Sequence, residues 1–298
     1  MHMLPPAYAN PGHKACGGRT GWLPPTPRRR DSRRVSAMTG PCQRPGSKYS
    51  HARNAAGEPG CETPNRFQRI NQTTVISASN PVTVVLEVGV GNIQITASDR
   101  TDVIVEVLPT DASKKTDVET AENTVVEHVD GEVRLATPPR PKMSTKLRSV
   151  DITIQVPTGS NVRGQSAMGG FRTEGQLGSC DFSSSAGDIT VDRVATAALQ
   201  TSMGDIQVGQ VADTASFHTA SGNVRVAEAV SGVVKVSLQQ GNIDVGVSKD
   251  SAVKLTTSTM HGKVGNSLSA EHDGREVTET VELDLRVMSG NIEVHRSN

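Results

Sequence analysis

Gly204-Asp-Ile-Gln-Val208 decides the fold, because it does not stand alone. A pentad of glycine, Asn or Asp, Ile or Val, any residue, then Val or Ile recurs along the chain. It appears at Gly91-Asn-Ile-Gln-Ile95, Gly187-Asp-Ile-Thr-Val191, Gly222-Asn-Val-Arg-Val226, Gly241-Asn-Ile-Asp-Val245 and Gly290-Asn-Ile-Glu-Val294. Weaker copies begin at Gly131 (Gly-Glu-Val-Arg-Leu), Gly170 (Gly-Phe-Arg-Thr) and Gly262 (Gly-Lys-Val-Gly). From Gly170 through Gly187, Gly204 and Gly222 to Gly241 the spacings are 17, 17, 18 and 19 residues, and the next two intervals are 21 and 28. A period near 18 predicts a solenoid whose turns stack as rungs.

Alignment on the glycine exposes the expected core. Five positions before it stand Phe182, Leu199, Phe217, Val236 and Leu285; seven before it stand Cys180, Ala197, Ala215, Val234, Leu255 and Leu283. Two after it come Ile189, Ile206, Val224, Ile243, Val264 and Ile292, and four after it Val191, Val208, Val226, Val245 and Val294. These positions alternate with polar ones, so each rung reads as strand, glycine turn, strand and connector with one face inward. Columns of small β-branched residues fill a narrow core, which suits a chain with 2% aromatics.

The glycine–Asx pairs Gly91 and Asn92, Gly187 and Asp188, Gly204 and Asp205, Gly222 and Asn223, Gly241 and Asn242, and Gly290 and Asn291 form a structural turn motif. Glycine supplies positive φ, and the Asx side chain is expected to close the turn with a hydrogen bond. A calcium stack is the rival, since Asp188 and Asp205 fall one rung apart. The calcium β-roll, however, uses nine-residue units, and this column continues with neutral Asn223 and Asn242. The hexapeptide β-helix of many acyltransferases is excluded too. Around Gly222 the inward set Ala215, Phe217, Thr219, Val224 and Val226 has period two broken at a turn.

The 298 residues carry 31 Lys+Arg and 31 Asp+Glu, but the neutrality is a cancellation. Residues 1–69 hold twelve basic and three acidic residues (+9); the other 229 hold 19 and 28 (−9). The first stretch also holds ten of 16 prolines, three of four cysteines, Trp22, Tyr8 and Tyr49. It has neither a helical nor a strand period, and runs such as Leu23-Pro-Pro-Thr-Pro-Arg-Arg-Arg30 resist burial, so residues 1–69 read as a disordered basic extension. No apolar core follows its basic clusters, which argues against a secretory or twin-arginine signal. Without interleaved aromatics, nucleic acid is not the expected partner. Cys16, Cys42 and Cys61 lack metal-ligand spacing and read as free thiols. The abrupt change near residue 70 suggests upstream frame translated from a misplaced start.

The remainder, 70–298, reads as one repeat domain, with a less regular part over 70–160 and regular rungs over 161–298. Lys114 to Asn123 is expected to form one short helix with Asp117, Glu119 and Glu122 on its surface. Pro138, Pro139, Pro141, Lys142, Lys146 and Arg148 mark an exposed loop, and Gly265–Glu279 reads as a loop inserted between rungs.

No nucleophile elbow, phosphate loop or dinucleotide fingerprint occurs. His128, His218, His261, His272 and His295 are scattered, and His218 falls on an outward position beside Phe217. Pectin-cleaving β-helices cluster carboxylates on one sheet, whereas the column three after each glycine mixes Thr190, Gln207, Arg225, Asp244 and Glu293. Arg225 and Asp244 read as a cross-strand pair.

The stretches Leu86–Asp102, Val103-Ile-Val-Glu-Val107 and Ser149-Val-Asp-Ile-Thr-Ile-Gln-Val-Pro157, followed by the pentads, resemble the bacterial putative-adhesin, β-strand-repeat family of unknown function, its actinobacterial branch most of all. The resemblance covers about residues 70–298. It implies an all-β repeat fold and no established catalytic residues. Some relatives accompany cell-envelope stress systems and carry membrane anchors, which this sequence does not show.

The expectation is therefore an all-β, single-chain β-solenoid of 17–19-residue rungs, non-enzymatic and without cofactor or metal. It serves as an adhesin-like interaction module for an unknown protein or carbohydrate. The alternative is a hydrolase or lyase acting on polysaccharide along one sheet. No apolar run approaches the ~20 residues of a membrane-spanning helix. With no signal peptide either, the reading is cytoplasmic, surface exposure staying open.

Overall fold

The computed structural model describes residues 68–69, 73–78, 81–139, 147–268 and 279–297. Of the expectations placed on residues 1–69 (disorder, the free Cys16, Cys42 and Cys61, the misplaced start), all that concerns residues 1–67 lies outside the described residues, as do Pro141, Lys142, Lys146 and His272. In chain order the elements are β1 (Gln68–Arg69), β2 (Thr73–Ser77), β3 (Thr83–Ser98), β4 (Asp102–Pro109), helix α1 (Lys115–Glu122), β5 (Val125–Val129), β6 (Glu132–Ala136), β7 (Val150–Pro157) and β8 (Asn161–Met168). There follow β9 (Phe171–Ala186), β10 (Ile189–Met203), β11 (Ile206–Val211), β12 (Ala215–Ser221), β13 (Val224–Ala229), β14 (Gly232–Gln240), β15 (Ile243–Val247), β16 (Ser251–His261), β17 (Val264–Asn266), β18 (Glu279–Ser289) and β19 (Ile292–Arg296).

The strands build the expected all-β solenoid, with two walls. One wall runs β1, β5, β6, the start of β3, β8, the ends of β9 and β10, β12, β14, β18, β16. The other runs β2, β4, β7, the end of β3, the starts of β9 and β10, β11, β13, β15, β19, β17. From β6 and β7 onward neighbours are parallel; β1, β2, β4 and β5 form an antiparallel end.

The inward residues of both walls make one apolar cluster. Leu199 sits in register with Phe182 and Phe217, and Phe217 with Val236, as the column alignment requires. Phe171 from one wall stacks on Phe182 from the other, with ring centroids 3.9 Å apart. Cys180 lies in the same core, and burial, reinforced by Asp181, pushes its thiol up to about 12.

Four readings need correction. The rung that begins the regular array has its corner at Gly169, with Gly170 in the Asx place, because Phe171 pairs with Ile189. The spacing to Gly187 is then 18 residues. Gly131 is no solenoid corner: Asp130 (φ 52°) and Gly131 (φ 80°) form the tight turn between antiparallel β5 and β6. Asp117 is buried inside α1's packing face, where its Oδ1 accepts from the Ser149 N–H at 3.2 Å.

The fourth concerns rung order. β18 and β19 insert between the rung of β14 and β15 and the rung of β16 and β17, so the last rung in sequence is not the last in space. The reason is readable in the columns. The β16–β17 rung has Thr257 five before its glycine and Asn266 four after, where the rungs of Gly187, Gly204, Gly222, Gly241 and Gly290 have Leu, Phe or Val. A rung so poor in apolar groups is the cheapest to leave at the end, and Val264, expected inside, is 45% exposed.

Native-state hydrogen exchange checks this order. Amides across β18 are expected to exchange roughly tenfold more slowly than those across β16. Faster exchange in β18 would mean that rungs stack as they follow in sequence.

Candidate functional site

The recurring motif turns the chain from one wall to the other. Its glycines stand directly above one another in the order Gly91, Gly169, Gly187, Gly204, Gly222, Gly241, Gly290, Gly262. Their φ values lie between 135° and 159°, a region L side chains rarely adopt. A Cβ on Gly204 would meet the carbonyl oxygen of Gly187 far inside van der Waals contact, and the same holds up the column. The close approach lets each corner donate to the next rung: Gly187 N–H to Met203 O (2.9 Å) and Gly204 N–H to Ser221 O (3.0 Å). From inside, Thr201 Oγ1 donates to Gly187 O (3.4 Å) and Thr219 Oγ1 to Gly204 O (3.3 Å).

The Asx side chains bond differently from the sequence reading. Each Oδ1 reaches the backbone N–H of its counterpart one rung on: Asp188 to Asp205 at 2.9 Å, Asp205 to Asn223 at 2.7 Å, Asn223 to Asn242 at 3.0 Å and Asn242 to Asn291 at 3.0 Å. The amide Nδ2 of Asn223 also donates to Asp205 Oδ1 (3.2 Å), and that of Asn242 to Asn223 Oδ1 (3.2 Å). A ladder between rungs replaces a bond within the turn. An oxygen acceptor is all the ladder needs, which explains why Asp and Asn interchange. Asp205→Asn is expected to keep wild-type stability within about 0.5 kcal/mol. Asp205→Ala, which strands the Asn223 N–H, should cost about 1 kcal/mol in urea unfolding. Equal stability of Asp205→Ala and wild type would sink the ladder.

The remaining candidates lie on the outer faces. Arg225 Nε is 3.4 Å from Asp244 Oδ2, the expected pair, and His295 Nε2 meets Asp244 Oδ1 at 3.0 Å, which the sequence did not reveal. Exposed as these groups are, they contribute under about 1 kcal/mol. His218 is half-buried beside Phe217, and His128 and His261 are exposed. Among the described residues no group of three or more His, Cys, Asp or Glu is placed to hold a metal ion. No described helix is long and apolar enough to cross a membrane.

Two grooves, each of about 590 Å³, mark the walls. One crosses β3, β8, β9 and β10 and is lined by Glu87, Gln165, Ser183, Ser185, Gln200 and Ser202, with Thr137, Pro138 and Pro139 along its rim. The other, on the opposite wall, is lined by Arg172, Glu174, Asp192 and Arg225 among others. Its charges are largely matched within the protein, as in Arg172 Nε to Glu174 Oε1 at 3.2 Å.

No curated protein matches the chain. Among solved structures, a "putative adhesin" from Bacteroides fragilis NCTC 9343 aligns at 17% identity and TM-score 0.40, covering 74% of this chain and 95% of its own. A "putative cell adhesion protein" from Clostridium sporogenes ATCC 15579 aligns at 14% and 0.33, covering 76% and 99%. A "putative lipid binding protein" from Parabacteroides distasonis ATCC 8503 aligns at 11% and 0.25, covering 79% and 98%. At these TM-scores the overlays carry no argument about ligand. The family match is of a different order, running over residues 83–298, which hold every rung from β3 to β19. The chain belongs to the Toastrack DUF4097 family.

Proposed function

We propose that the protein is a non-enzymatic interaction module, its two walls serving as rigid platforms for a binding partner. The observation that carries this reading is the division of labour along each strand. Inward residues are spent on the core, while the outward columns are held in register by parallel pairing on both sides. Columns about 4.8 Å apart present side chains at fixed intervals without further ordering, which lowers the entropic cost of binding an extended partner. The outward polar groups mix signs and types along each column, as in Thr190, Gln207, Arg225 and Asp244. A catalyst for glycoside cleavage instead uses paired carboxylates facing one bond.

The test is to incubate the full chain with a panel of neutral and acidic polysaccharides. Retention by affinity electrophoresis and release of new reducing ends or unsaturated uronate are then measured side by side. Retention without release is expected for any glycan that binds. Release that follows protein concentration would replace this reading with that of a hydrolase or lyase.

A further inference from the structure

We infer that the groove across β3, β8, β9 and β10 is a binding site for an uncharged glycan; this rests on the interaction-module reading and names its ligand class. The site is built from short side chains on adjacent strands. Register places Glu87 beside Gln165, Gln165 beside Ser183, and Ser183 beside Gln200 in one outward column. Two residues further along each strand, Gly89, Ala167, Ser185 and Ser202 form a lower column, since the flanking pairs Val88 with Ser166, Ser166 with Ser184 and Ser184 with Thr201 are in register. Glycine and alanine at that level leave the floor low, and the four strands span about 14 Å.

The rim is fixed, not draped. Gly89 N–H donates to Thr137 Oγ1 at 2.9 Å, and Thr137 N–H donates to Glu87 O at 2.9 Å. Pro138 and Pro139 follow at once, and their rings stiffen this edge and give it apolar surface. The chemistry of the lining then selects the ligand. The side chains of Gln165, Ser183, Ser185, Gln200 and Ser202 make no hydrogen bond to another described residue. On the opposite wall Arg172, Arg225, His295 and Gln210 are all engaged by carboxylates. The free amides and hydroxyls can each donate and accept, which matches sugar hydroxyls.

Other ligand classes fit worse. An anionic polymer needs cationic groups, and among the described residues the lining has none. A peptide strand needs an open sheet edge, whereas β8, β9 and β10 are paired on both sides here. An acyl chain needs a continuous apolar floor, and here Gly89 and Ala167 are flanked by the hydroxyls and amides of Ser183, Ser185, Ser202, Gln165 and Gln200.

Neutral β-glucan, mannan and galactan oligosaccharides, with polygalacturonate and alginate fragments for contrast, should be titrated into the full chain. The proteins compared are wild type, the Gln165→Ala/Gln200→Ala pair, Ser185→Arg, and Gln207→Ala on the far wall. All these positions are exposed strand faces, so an unchanged Tm is expected throughout and confirms folding. The expected result is binding of a neutral glycan that falls roughly tenfold or more in the two groove variants, as the loss of one or two hydrogen bonds implies, and is unchanged in Gln207→Ala. Neutral binding indifferent to the groove variants, binding of acidic fragments alone, or no glycan bound at millimolar concentration would each overturn the assignment. Those outcomes leave an interaction module with another site or partner, whereas glycan cleavage would remove the underlying reading.

Discussion

At every corner of the stack the backbone of one rung passes so close over the carbonyl of the rung beneath that no Cβ fits between them. This approach fixes where each rung sits relative to the last. Once the corner is set, the residues two and four after the glycine fall over their counterparts, and those five and seven before it do the same on the other wall. The inter-rung backbone bonds, the inner threonine hydroxyls and the outer Asx ladder all depend on that placement. Hydrophobic columns then supply the bulk of the stabilisation, but they can align only because the corners do.

Much of this was legible in the residues because the constraint is local and repeated. A glycine demanded every rung leaves a period, and the inward columns follow from counting either side of it. The Asx position was legible as a hydrogen-bonding position, yet its partner was not. Asp205 and Asn223 look alike whether the bond closes their own turn or reaches the next rung, and only stacking decides. Gly170 shows a different limit, since two adjacent glycines leave the corner ambiguous by one until Phe171 is seen opposite Ile189. The order of the last rungs was not legible, since Thr257 and Asn266 mark a rung poor in apolar groups but sequence order offers no hint that β18 inserts inward. Asp117 was misplaced because a polar helix reads as exposed; the Ser149 N–H that its carboxylate accepts from is 32 residues away.

The same architecture explains why the candidate site carries so little conventional chemistry. Walls of paired strands present side chains outward in columns but do not gather them around one point, as a catalytic pocket requires. What they offer is length, rigidity and repetition. One wall has largely satisfied its charges internally, while the other holds amides and hydroxyls facing solvent beside a proline rim. Recognition of an extended partner is therefore a property of a surface set by the corners, many residues away.

The dependence of the stack on its corners is tested most directly by the unfolding free energy of Gly204→Ala measured against Gly265→Ala. Gly204 has φ 140° and no room for a Cβ, whereas the nearest atom to a Cβ on Gly265 is 3.8 Å away. A loss of at least about 2–3 kcal/mol is predicted for Gly204→Ala, with little change for Gly265→Ala. Similar small effects at both positions would contradict the account.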